Sequence, residues 1–221
     1  MEENNLWEQL KNIENDAEGL KKKGKTLAPV LGMAITKNVG TLIDFFKKQN
    51  NLKIQTEKEI EIALEFYAFF MHFIDRQSWY ILGDEEFTKA FKKGLGKEEF
   101  KRMKANFEEK RVFFLRELYD EITNSLSRIF SEMFSGKINI KKDFITLLDK
   151  RSVEYSKYKV VFQEKNKGSK NTLVWEFSKK IAEILKQAED IRIIMPTYKI
   201  TCDIIGLIQL PELLVPKHNT K

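Results

Sequence analysis

Cysteine is all but missing from this chain: Cys202 is the single one in 221 residues. One thiol closes no internal disulfide, so the fold has to stand on burial alone, and a reducing, cytoplasmic compartment is the expectation. The chain does not open on a charged n-region, an apolar run and a small-residue cleavage site, so export is not expected either. Histidine is nearly as scarce, at two residues, His72 and His218. Di-iron helical bundles need two Glu-x-x-His elements, and here Phe69 stands where the glutamate before His72 would be, so neither a metal nor any other cofactor is expected. Cys202 lies in an apolar segment and reads as a small buried hydrophobe rather than a nucleophile. No nucleophile and base pair forms a pattern, so no catalytic constellation is recognised.

Long hydrophobic runs are also lacking. The most apolar stretch, 191–215, is broken by Arg192, Pro196, Lys199, Asp203 and Pro211 and falls short of the roughly 20 apolar residues of a membrane-spanning helix, so no membrane span is predicted. Charge of one sign is present without being gathered. The net charge is +6 and the pI about 9.1, yet the 39 basic residues are interspersed with 33 acids. Lysine supplies 32 of the basic residues and arginine 7. Dispersed lysine argues against nucleic acid, whose recognition leans on clustered, bidentate arginine.

Proline is the absence that most shapes the fold. Only four occur, three of them after residue 195, so from Pro29 to Pro196 nothing of that kind interrupts a helix. What fills the interval is apolar residues at three and four residue spacings. A first amphipathic segment carries Leu6, Trp7, Leu10, Ile13, Ala17 and Leu20 and ends at a lysine-rich, glycine-flanked turn. A second helix is predicted over about 26–49. A third starts at Thr56, where Thr56 and Glu59 have the spacing of a capping box, and stops near Gly83. Residues 62–74 are apolar on nearly every side, which marks this as a central helix, about 56–82, to be surrounded by the others.

A short helix over about 84–93, a long one over about 97–134, and two more over about 141–164 and 171–195 follow. Pro196 either opens a last helix or follows a short strand at 191–195. No repeat and no change of composition divides the chain. The fold class is therefore all-α: a single helical bundle of six to eight helices over 1–215, with 216–221 a disordered tail.

Three features bear on function. Residues 19–26, Gly19-Leu20-Lys21-Lys22-Lys23-Gly24-Lys25-Thr26, satisfy the phosphate-loop pattern in which Gly19, Gly24, Lys25 and Thr26 would hold a nucleotide. The mechanism needs a buried strand feeding the loop, and polar, helix-prone Glu14 to Glu18 precede it instead. A solvated turn between helices is the better reading of this segment. The second feature is a polar stripe. At 100° per residue Glu61, Glu65, His72 and Arg76 fall within about 60° on the central helix, with Asp75 and Trp79 beside them. A solvent-facing strip accounts for most of that.

The third feature makes the stripe worth pursuing. Arg111 sits among Phe107, Phe114, Leu115 and Leu118, and Arg151 among Phe144, Leu148, Tyr155 and Tyr158, each a charge at an apolar position. A buried arginine needs a carboxylate or a path to water, and Glu65 and Asp75 are the carboxylates at hand. Glu65, His72, Asp75, Arg76, Arg111 and Arg151 are thus expected to meet in a polar core cluster. The cluster is either architectural or the lining of a site for a small acidic ligand. The expected function is a protein-interaction or structural module, open to a protein partner or self-association, with the acidic-ligand binder or an unrecognised enzyme as the alternative.

Overall fold

A computed structural model of the chain describes residues 10, 12–94, 96–134, 140–162 and 170–215. The protein is all-α, as its periodicity predicts, and among the described residues there are seven helices and no strand. They are α1 (Ala17–Gln49), α2 (Thr56–Lys93), α3 (Lys97–Phe134), α4 (Ile140–Tyr155), α5 (Leu173–Ile184), α6 (Ile191–Ile208) and α7 (Leu210–Leu214). Leu6 and Trp7 of the predicted first segment, the predicted disordered tail and His218 lie outside the described residues; residues 12–16 of that segment are turn and bend, and its Ala17 and Leu20 belong to α1.

Contacts group the chain into two compact units. Unit 1 is formed by 1–31, 73–138 and 209–221, and unit 2 by 32–72 and 139–208. The division falls inside α1 and α2, each of which gives its first or second part to a different unit.

Several boundaries differ from expectation, each for a local reason. Helix α1 starts at Ala17, not near residue 26, so 19–26 is helix and not a turn. Asp16 starts it: its carboxylate accepts from the Gly19 amide at 2.7 Å, the bond of a helix cap. Pro29, which ought to be a breaker, lies within α1. Helix α2 passes Gly83 and continues to Lys93, absorbing the separate 84–93 helix. A helical glycine costs only about 1 kcal/mol, too little by itself to end a helix.

The Thr56 and Glu59 box does not form as read, because the Gln55 carbonyl takes the amides of Lys58 and Glu59 while the Glu59 carboxylate pairs with Lys47. Helix α4 ends early, at Tyr155. The predicted 171–195 helix is two helices, since Lys186 and Glu189 take left-handed backbone angles and Asp190 starts α6 by bonding the Arg192 amide at 2.9 Å. Residues 191–195 are helical, and Pro196 lies inside α6. Pro196 has no amide to offer the Arg192 carbonyl, and the Asn50 side-chain amide donates to it instead at 3.2 Å.

In unit 2, α2 carries the most enclosed stretch, with every residue from 65 to 72 buried. Rings fill its surroundings: Phe69 stacks on Phe177 at 4.2 Å, Phe66 meets the same ring edge-on at 4.8 Å, and Phe69 lies 5.8 Å from Tyr155. Helices α5 and α6 pack on one another. In unit 1, α1 and α3 cross closely at Gly24, where an added methyl group would come within 2.2 Å of the Phe114 carbonyl oxygen.

Two helices, Ala17–Gln49 and the stretch Ile191–Leu214, are long and apolar enough by length and composition to cross a membrane. Both also carry buried faces. Leu27, Leu31, Ile35, Val39 and Leu42 are covered on α1, and Ile193, Ile194, Ile204 and Ile208 on α6.

Candidate functional site

Glu65 is the centre of the polar group in unit 2. It stands among the buried rings of α2, 2% exposed, where an unpaired carboxylate would cost several kcal/mol. Helix α4 supplies what it needs. The Arg151 guanidinium donates from Nε to Oε1 at 2.5 Å and from Nη2 to Oε2 at 2.9 Å, the two-pronged geometry that suits arginine to a carboxylate. Tyr155, one helical turn further on, donates its hydroxyl to Oε1 at 2.5 Å. The remaining arm of Arg151, Nη1, donates to Glu154 at 2.5 Å. His72 lies two turns along α2, its ring 5.7 Å from that of Tyr155.

Electrostatics follow from this packing. Burial by itself would pull the Arg151 guanidinium down, but its bonds to Glu65 and the charges of Glu65 and Glu154 outweigh that and hold its pKa above the usual value. Burial, then the adjacent Glu65 charge, pushes the Tyr155 phenol well up, so it remains a hydrogen-bond donor. All three arginine nitrogens are engaged inside the chain. What the arrangement does chemically is fasten α4 to α2.

A second, separate polar group belongs to unit 1. Arg111 of α3 pairs with Asp75 of α2, reaches Glu108 at 3.4 Å, and lies over the Trp79 ring at 5.5 Å, with Phe107 edge-on to the same ring at 5.0 Å. This group is more open: the Asp75 side chain is 38% exposed and that of Arg111 20%. Burial raises the Asp75 carboxyl against the opposing pull of Arg111, and burial with the Asp75 charge raises the Tyr119 phenol. Arg111 Nε is buried and has no hydrogen-bond partner among the described residues. Among those residues no group of three His, Cys, Asp or Glu is arranged to hold a metal ion.

The six residues expected in one cluster therefore fall into two groups. Glu65, His72 and Arg151 lie in unit 2, and Asp75, Arg76 and Arg111 in unit 1. The stripe on α2 is neither wholly solvent-facing nor wholly buried. Glu61 is exposed and pairs with Lys58, Glu65 and His72 are buried, and Asp75 and Arg76 are half-buried. Tyr155 and Glu154 complete the unit 2 group, and Tyr155 was legible only as an aromatic neighbour of Arg151.

The phosphate-loop pattern has a different use. Gly19 belongs to the start of α1 and Gly24 to the crossing with α3. Lys25 reaches Glu121 at 3.7 Å, and Thr26 donates its hydroxyl back to the Lys22 carbonyl at 2.8 Å. A helix offers no loop of free amides to cradle phosphate.

The residue overlooked in that segment is Lys23, 1% exposed. Its amino group donates to Asn15 Oδ1 at 2.5 Å and to the Leu213 carbonyl at 2.8 Å, while the Asn15 amide donates to the Leu214 carbonyl at 2.6 Å. The ammonium thus sits at the carbonyl end of α7, where a helix favours a cation. Burial lowers its pKa to about 8. Once the helix is known to run through the segment, Lys23 falls between Leu20 and Leu27 on the buried face, and a turn would have hidden that.

No family model matches this chain, and no curated protein or solved structure is significantly similar to it.

Proposed function

We propose that this chain is a protein-interaction or structural module built on helices, and that its buried charges are part of the scaffold. The observation carrying this reading is the mutual pairing of Glu65, Arg151, Tyr155 and Glu154. An anion-binding arginine turns its guanidinium toward its ligand, whereas each nitrogen of Arg151 donates to a carboxylate of its own chain. Large apolar side chains remain outside: Met33, Tyr80, Val112, Ile191, Met195 and Leu207 are each at least half exposed. A reducing, cytoplasmic setting suits the half-buried Cys202, whose thiol burial pushes up and so keeps unreactive.

A second reading, a small acidic ligand, is favoured by one observation, the unengaged Nε of Arg111 beside the half-open Asp75. The two readings separate in one experiment. The purified chain is examined by native mass spectrometry and by thermal melting against a panel of carboxylates and phosphates. The scaffold reading expects no added mass and no raised melting temperature. A ligand that raises Tm in wild type and fails to do so in Arg111→Ala overturns it in favour of the second.

A further inference from the structure

Helix α7 is held to unit 1 by its buried leucines and by its carbonyl end. Leu210, Leu213 and Leu214, at the i, i+3 and i+4 spacing of a helix lying on a surface, are 2%, 1% and 0% exposed, while Pro211 and Glu212 between them are open to solvent. Its last carbonyls are taken from the start of α1: Lys23 donates to that of Leu213 at 2.8 Å and Asn15 to that of Leu214 at 2.6 Å. Five residues are too few to stay helical in water, so α7 is a helix because of the seat it occupies. Both donors recognise backbone oxygens, and the leucines offer only apolar surface. Nothing in these contacts requires α7 to come from the same copy of the chain.

The link to the seat is a single residue. Gln209 alone separates Ile208, the end of α6, from Leu210, the start of α7. It stands at φ 43° and ψ 41°, the left-handed region that a residue with a Cβ disfavours. Its side chain, at the capping position of α7, caps nothing. Pro211 has its own φ locked by its ring, so it takes no share of the turn. The division between the compact units falls at the same place, unit 2 running to Ile208 and unit 1 resuming at Gln209. A short, strained link to a terminal element favours exchange between copies, because the second copy offers the same seat and the strained turn no longer has to be made.

We propose that two copies of this chain exchange α7: the turn at Gln209 opens, and the three leucines of each copy enter the seat of the other, with Lys23 and Asn15 of that copy on the last carbonyls. This rests on the interaction-module reading and names the partner as a second copy of this chain. Sedimentation velocity and light scattering on the full chain over a wide range of concentration test it, with far-UV circular dichroism and Tm recorded for every variant. Wild type is expected to pass from monomer to dimer as concentration rises. Gln209→Gly, at ease in the left-handed region, should weaken the dimer by about five- to thirtyfold for each of its two hinges, the equivalent of the strain it removes from the closed turn. Gln209→Val, whose branched side chain fits that region worst, should strengthen it.

A mixing experiment checks the seat itself. Leu213→Asp spoils α7 and leaves the seat, whereas Lys23→Glu spoils the seat and leaves α7. Each variant alone should be a monomer, and the two together should give a heterodimer with one sound seat, seen by native mass spectrometry. Should either variant fail to fold, the Gln209 pair decides alone. A wild type monomeric at every concentration overturns the proposal, and so does a dimer that Gln209→Gly and Gln209→Val leave unchanged or shift in the same direction. Folded variants that do not pair on mixing overturn it as well. None of these outcomes involves Arg111 or a raised Tm with a carboxylate, so they remain distinct from failure of the scaffold reading.

Discussion

Arg151 grips both carboxylate oxygens of Glu65 across 86 residues of sequence, with the two side chains 7% and 2% exposed. At that depth each charge is tolerable only because of the other. Removing one partner leaves the second without compensation, and a lone buried charge costs about 3–5 kcal/mol. Replacing both by apolar side chains of similar volume removes the desolvation cost along with the attraction and is often neutral or better.

The scaffold reading of this pair can therefore be measured. Arg151→Met and Glu65→Leu, made singly, should each lower the urea midpoint by an amount worth about 3–5 kcal/mol, and the double variant should recover most of it. The Tyr155 hydroxyl, which would lose its acceptor, limits the recovery by roughly 1 kcal/mol. Double-variant stability no better than the worse single variant would show that the two side chains do not act as a pair.

Lys23 predicts the opposite of ordinary alkaline behaviour. Its pKa is lowered to about 8 in the folded chain from 10.5, so above pH 8 the folded state releases a proton that the unfolded state keeps. The unfolded state then binds more protons, and stability rises with pH by about 1.4 kcal/mol per pH unit. The window to use is pH 8 to 9.5, below the range in which unfolded tyrosines titrate. Denaturant midpoints of wild type should climb through that window relative to those of Lys23→Met, in which the titrating group is gone. Parallel curves would mean that Lys23 is solvated rather than enclosed between Asn15 and α7.

The sequence made the helical class legible because scarce proline and a sustained three and four residue spacing act over many residues at once. It also put Arg111 and Arg151 at apolar positions and named Asp75 and Glu65 as their carboxylates, since a buried charge leaves few choices. Errors fell where one residue carried the inference. Gly83, Gly19 and Gly24 looked like stops, but a glycine inside a helix costs only about 1 kcal/mol, which the rest of the helix outweighs. Pro196 looked like a start, and the Asn50 amide that replaces its missing donor could not be read from the chain.

Lys23 was obscured by company: three consecutive lysines look solvated until helical phase singles out the one between Leu20 and Leu27. The six polar residues expected to meet divide between the two units, with Glu65, His72 and Arg151 in one and Asp75, Arg76 and Arg111 in the other, although His72 and Asp75 are within one turn on α2.

Gly24 and Gly40 give the sharpest contrast in α1, for they share a helix and differ only in what stands beside them. A methyl group on Gly24 would lie 2.2 Å from the Phe114 carbonyl oxygen and 3.2 Å from the Leu118 nitrogen, both backbone atoms of α3 that no side-chain rotation can move. On Gly40 it would meet nothing within 4 Å. Alanine is the better helix former by about 1 kcal/mol in a free position, so Gly40→Ala should stabilise the chain by roughly 0.5–1 kcal/mol. Gly24→Ala gains the same propensity but forces α1 and α3 apart, and overpacking of this kind costs about 1–3 kcal/mol, so the net change should be a lower Tm. Thermal melts of the two single variants decide it. Equal and positive shifts would mean that α1 and α3 do not touch at Gly24, and the pairing of Lys25 with Glu121 would have no close crossing to explain it.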